Sequence, residues 1–253
     1  MVTLDLSSCP CDPSLRTFVA TTALFSMSHE SLVAGFAARL CAHGLDLVRP
    51  FAVADVAAAL GDFPLETFGQ PRALGLVVGN SRALWPRLLA ELPEPMGEHP
   101  VDEHCARALS AAAAATGLRH TIYPSHVTEP RAIPIQRIAA AAGLADLSPS
   151  HLSVHPQHGP WIALRAVVTF DAEGPPLPEE PPALCARCDR PCMAALDRAL
   201  AVDQHRNRAS IAEHQKLWIA VRDACPVGRD SRYGADQIGY HYGKDRALLR
   251  RSQ

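Results

Sequence analysis

Lysine is nearly missing from this chain. Of its 24 basic residues only Lys216 and Lys244 are lysines, so almost all the positive charge is arginine. The 26 acidic residues leave a formal net charge of -2. No excess of one sign therefore exists to draw the chain non-specifically onto nucleic acid. Long apolar runs are also lacking, and nothing in the sequence is long enough to span a bilayer. The start places Asp5 ahead of its apolar stretch and lacks the basic-then-hydrophobic order of a signal peptide. These absences lead to the expectation of a cytoplasmic protein with no membrane or nucleic-acid partner. No internal repeat is visible. What is present, 48% hydrophobic and 20% charged residues over 253 positions, is ordinary for a globular chain of one large or two small domains.

Hydrophobic periodicity divides the chain. Residues 1–30 show no clear period and are expected to be an extension that can stay disordered. Apolar residues recur at helical spacing from Ser31 to Ala42, and Gly44 is placed to end that helix. Ala73 to Val78 is a short apolar run closed by Gly79-Asn80, the mark of a buried strand. A helix over Arg82 to Leu92 follows. Pro100 to Thr116 reads as an Ala-rich helix with Asp102 and Glu103 in its first turn and Gly117 at its end. Arg119 to Tyr123 is a second strand candidate, Pro134 opens a helix that ends at Gly143, and Ile162 to Phe170 is a third strand. Residues 173–183 are too rich in Pro and Glu for helix or central strand. Beyond them, Cys192 to Leu200, Ala209 to Ala220 and Ala235 to Tyr242 read as helices. Few strands with segregated helices define an α+β class. The expected organisation is the extension 1–30, an α+β core over 31–172, and a connector with C-terminal helices over 173–253.

Eight cysteines without an export signal argue against a disulfide framework and toward metal, redox or core roles. Cys41 and Cys105 fall in helical apolar patterns and read as small core residues. Cys9 and Cys11 flank Pro10 in the extension. Cys185, Cys188 and Cys192 place three thiols within eight residues, and Cys225-Pro226 follows farther on. Such a set suits a structural zinc ion or an iron–sulfur cluster, although its spacing matches neither pattern cleanly. Unliganded thiols in a loop are the simpler alternative.

The segment His155-Pro156-Gln157-His158-Gly159-Pro160-Trp161-Ile162-Ala163-Leu164-Arg165 carries the most chemistry. Pro fixes the backbone, and Gly159 lets a ligand or a second stretch of chain approach closely. Trp161 has a broad apolar face, and Arg165 has five donors suited to a carboxylate or phosphate. His155 and His158 suit hydrogen bonding better than metal ligation in such a turn. The same residues also suit a tight turn feeding a core strand, with Trp161 buried and Arg165 in a structural pair.

Several landmarks in order resemble the cobalamin-processing family of the methylmalonic aciduria and homocystinuria type C protein. They are Arg49-Pro50-Phe51 before an apolar helix, Ala73-Leu74-Gly75-Leu76-Val77-Val78, and Pro100-Val101-Asp102. Val154-His155-Pro156 with Gly159, Trp161 and Arg165-Ala166-Val167-Val168 follows, then Arg222-Asp223-Ala224, Arg232-Tyr233 and Arg246-Ala247-Leu248-Leu249. The resemblance spans roughly residues 31 to 249. It implies a nitroreductase-like α+β fold, a mixed or antiparallel sheet flanked by helices with a helical C-terminal part. It also implies cobalamin bound with its lower base displaced, and removal of the upper axial ligand by reductive decyanation or thiol-dependent dealkylation. By motif, Arg165, Arg222 and Arg246 would hold glutathione, with reduced flavin as another electron source. His155, Pro156, Gly159, Trp161 and Ile162 would border the corrin. Electropositive surroundings would favour the thiolate, which is the nucleophile.

The chain departs from the family at Ala140, where the family carries a His, and at Leu144-Ala145-Asp146-Leu147, which replaces an aromatic stretch. Both departures put the accepted upper ligand in doubt. The central segment and the cysteines also resemble epoxyqueuosine reductase, implying a corrinoid and iron–sulfur dependent reductase with Cys185, Cys188, Cys192 and Cys225 as ligands. A third alternative is a non-catalytic carrier that passes cobalamin to an accepting protein.

Overall fold

A computed structural model describes residues 29–177, 182–205 and 207–250. The extension, with Cys9 and Cys11, lies outside the described residues except for its last positions, as does part of the Pro-rich connector.

The centre is an antiparallel sheet. Its strands are β1 (Leu47–Ala52), β2 (Ala73–Asn80), β3 (His120–Pro124) and β6 (Ala163–Glu173), in the order β1-β2-β6-β3. Two short strands, β4 (Asp146–Leu147) and β5 (Ser153–Val154), form a separate ladder. The central strand β2 is buried along its whole length because both faces are covered. Its side chains alternate with period two. Leu74, Leu76 and Val78 enter one core with Ala166, Val168 and Phe170 of β6. Ala73 and Val77 enter the other with Val167.

Helix α1 (His29–Ala42) and helix α4 (Pro100–Ala114) cover the first face through Phe36, Leu40, Leu109 and Ala113. Fully burying one such aliphatic or aromatic side chain contributes about 1.5–3 kcal/mol. On the second face lie a 3-10 turn (Val53–Val56), the short α2 (Ala57–Leu60) and α5 (Ile135–Ala141), packed through Val56, Leu60, Ile138 and Ala139. Helix α3 (Leu84–Ala90) follows β2.

The C-terminal part contains α6 (Pro191–Val202), α7 (Arg208–Glu213), α8 (Gln215–Asp223) and α9 (Ala235–Gly243). A last 3-10 turn (Arg246–Leu249) returns Leu249 to the first core. The helix expected over Ala209 to Ala220 is two helices instead. The chain breaks at His214, and the Asn207 side chain caps α7 by accepting from the N–H groups of Ala209 and Ser210.

Strand β1 was not expected from the sequence. Pro50 interrupts its pattern, and a proline is tolerated here because β1 is an edge strand. Phe51 lies directly across from Gly75, where a Cβ would meet its ring. Cys41 is buried, as expected for a core position, and it is also disulfide-bonded, although the sequence argued against a disulfide framework. Among the described residues, no helix is long and apolar enough to cross a membrane.

Candidate functional site

A cavity of about 600 Å³ opens along the edge strand β3. Its floor is aromatic and aliphatic. Phe63 meets Tyr123 edge-to-face at 5.7 Å, Ile122, Val127 and Ile133 add aliphatic surface, and Asp62, Glu129 and Arg131 also line the cavity. The Tyr123 hydroxyl accepts a hydrogen bond from the Glu66 N–H at 2.7 Å, and burial pushes its pKa up. This volume and apolar lining suit a small molecule or part of a larger flat one. Among the described residues, Val127 is one of two large apolar side chains left exposed, at 44%.

Smaller cavities adjoin it. One of about 150 Å³ shares Ile122 and Pro124 with the large one and contains Arg165, Asp102, His126 and Cys105. Another, of about 220 Å³, begins at Ile135, two residues past Ile133. It is lined by Pro160, Ile162, Leu164 and Arg222. Arg165 thus lines the cavity of about 150 Å³ and Arg222 the one of about 220 Å³, while the cavity along β3 is largely apolar.

Each arginine is already engaged. Arg165 Nε donates to Oδ1 of the fully buried Asn80 at 2.6 Å, and its Nη1 lies 3.9 Å from Asp102. Arg222 donates to the carbonyls of Pro160 and Ile162, while its Nε is buried without a partner. Arg246 donates to the carbonyls of Glu98 and, at 2.6 Å, Gly97, and it lines none of these cavities.

Arg165 and Arg222 do act on the same buried pair. Burial chiefly, then the positive charge of Arg165, Lys244 and Arg222, lowers His241 to about 3. Burial raises Tyr233, and both arginines oppose that shift. Arg165 and Arg222 thus both bear on His241 and Tyr233, and Arg246 is held instead by the Gly97 and Glu98 carbonyls. His241 was not singled out from sequence. Only its position in α9, against the rings of Trp85, Tyr233 and Tyr240, makes it part of this centre.

The signature segment is placed differently from its ligand-facing expectation. Trp161 is 2% exposed. It packs with Tyr233 and Ile238, and the guanidinium groups of Arg222 and Arg232 lie over its ring at 5.7 and 5.2 Å. Its apolar face is consumed by the fold, so the alternative of a buried indole holds. Gly159 admits a second stretch of chain, Val227-Gly228, rather than open space. His155 is buried, stacks on His158 at 4.9 Å, and accepts through Nδ1 from the N–H groups of Gln157 and His158. Burial, then His158, lowers His155 to about 4. Pro156 is exposed at the turn. Of the residues expected to border the corrin, Ile162 lines the Arg222 cavity.

Cys185, Cys188, Cys192 and Cys225 are free and line one small cavity beside Pro160 and Leu152, residues shared with the Arg222 cavity. Among the described residues, no three His, Cys, Asp or Glu side chains are arranged to hold a metal ion as they stand.

Architecture and site together define a nitroreductase-like α+β protein with a groove at the sheet edge. Among solved structures, the chain is similar to the C. elegans B12-trafficking protein CblC, a human MMACHC homologue. The TM-score is 0.65 at 16% identity, over 88% of this chain and 95% of that one. No protein-family profile matches the chain, and no curated protein matches it in sequence.

Proposed function

We propose that the chain binds cobalamin in the groove along β3 and removes its upper axial ligand by a thiol-dependent reaction. The observation that carries the reading is the apolar 600 Å³ cavity at the sheet edge of a fold shared with a B12-trafficking protein. Phe63, Tyr123 and Ile133 supply flat and aliphatic surface for a macrocycle or its base. Arg165 and Arg222 supply positive charge for the carboxylates of glutathione, which a planar guanidinium can hold in bidentate fashion. That charge also favours the thiolate. In dealkylation the thiolate sulfur forms a bond to the alkyl carbon as the cobalt–carbon bond breaks. The electron pair of that bond stays on cobalt, and the product is a thioether.

A second reading, carriage of cobalamin without turnover, is favoured by one observation: all three arginines already donate to protein acceptors. Titration with methylcobalamin, followed by glutathione, separates the two. A base-displaced spectrum on binding with a glutathione-dependent change supports the enzyme, binding without that change supports the carrier, and absence of binding overturns both.

A further inference from the structure

Away from the groove floor, the chain gathers four free thiols. Cys185 and Cys188 lie in the loop before α6, Cys192 is in its first turn, and Cys225 follows α8. They line one cavity of about 20 Å³. Cys185, Cys188, Cys192 and Cys225 reach this cavity from the loop before α6, the first turn of α6 and the end of α8.

We propose that Cys185, Cys188, Cys192 and Cys225 form a site for one soft tetrahedral cation of the zinc class, held by four thiolates that tie α6 to α8. The donor set is the type that selects such an ion. The cavity has room for about one water-sized sphere, a space on the scale of a single ion. The Arg190 N–H already donates to Cys188 Sγ at 3.4 Å, a bond that strengthens when the sulfur becomes an anion. Arg190 at the cavity wall would offset part of the net negative charge of a four-thiolate centre.

The fully buried part of the α6–α8 cluster is small, Cys192, Ala195, Ala199 and Val221, with Met193, Leu196, Leu217 and Trp218 packed partly buried against it, so a tie at its Cys192 end would add to this packing. As they stand, the four thiols are not arranged to hold an ion. Loading exchanges their protons for the ion, and rotation about χ1 closes the set. The proposal is independent of the corrinoid reading.

The test uses the full chain, stripped of metal under reducing conditions and titrated with zinc near neutral pH. Binding of about one ion per chain, with release of several protons and a rise in melting temperature, is expected. Cobalt in place of zinc should show thiolate-to-cobalt charge-transfer absorption. Cys188→Ser and Cys225→Ser should each weaken affinity at least about 100-fold. Zinc uptake with no proton release, or with unchanged affinity in both variants, overturns the site. So does purification with iron and acid-labile sulfide bound to these cysteines. The wild-type titration decides the matter even if a variant fails to fold.

Discussion

Gly159 and Gly228 are packed backbone against backbone, each in a left-handed conformation (φ 55° and 65°), so that a Cβ on either would strike the other's segment. This contact, with the His158 Nδ1–Ser231 Oγ hydrogen bond at 2.9 Å, locks the signature turn to the stretch between α8 and α9. Gly159→Ala therefore forces a collision with the Val227 carbonyl and a strained φ at once. Its expected cost is at least about 2 kcal/mol, read as a lower urea midpoint. Gln157→Ala, at the exposed tip of the same turn, should stay within about 0.5 kcal/mol of the parent.

Val127 is exposed and lines the large cavity, so it can be changed without opening the core. Val127→Arg places a long charged side chain in the groove. Cobalamin affinity is expected to fall at least about tenfold, since each 1.4 kcal/mol is a factor of ten, with little change in melting temperature. Unchanged affinity would move the corrinoid elsewhere on the protein.

Arg165 and Arg246 should separate in function. Arg165→Ala is expected to raise the glutathione KM at least about tenfold while cobalamin binding stays within about twofold. Arg246→Ala should change neither, because Arg246 is held by the Glu98 and Gly97 carbonyls away from the groove. Steady-state kinetics with methylcobalamin and equilibrium binding check both. An equal loss of turnover and binding in Arg165→Ala would make its role structural.

His155 and His241 predict an acid-labile fold. Both are held well below the ordinary histidine value, at about 4 and about 3, by burial first. Between those values and about 6.5 the unfolded chain binds protons that the folded chain does not, so stability falls as pH falls through this window. The slope is up to about 1.4 kcal/mol per pH unit for each ring. Above about pH 7 these two residues contribute no pH dependence. Urea midpoints from pH 7.5 to 4.5 test this, and His155→Gln should flatten part of the slope if it folds.

Much of the sheet was legible in the chain. β2 and β6 appear as apolar runs because both faces are buried, and Pro100, Pro134 and Gly117 mark helix boundaries near those found. β1 was not legible, since Pro50 reads as a breaker unless the strand is known to lie at an edge. The break at His214 was hidden too, because both α7 and α8 fit one continuous helical pattern.

The candidate site was legible only in part. The cysteines were, because three of them are close in sequence and their chemistry is particular to their residue type. Trp161 was seen as notable, but its burial depends on Tyr233 and Ile238, which arrive from the far end of the chain.

Local pattern alone determined the α+β class, the main buried strands and the thiol inventory, because period, breakers and residue chemistry act over a few neighbours. Only the tertiary structure decided that the charges of Arg165 and Arg222 bear on buried His241 while Arg246 is taken up by the Gly97 and Glu98 carbonyls. It alone also turned the Trp161 face inward. Those outcomes depend on how distant segments pack and which carbonyls they bring within reach of a long, flexible guanidinium, and no local pattern encodes that.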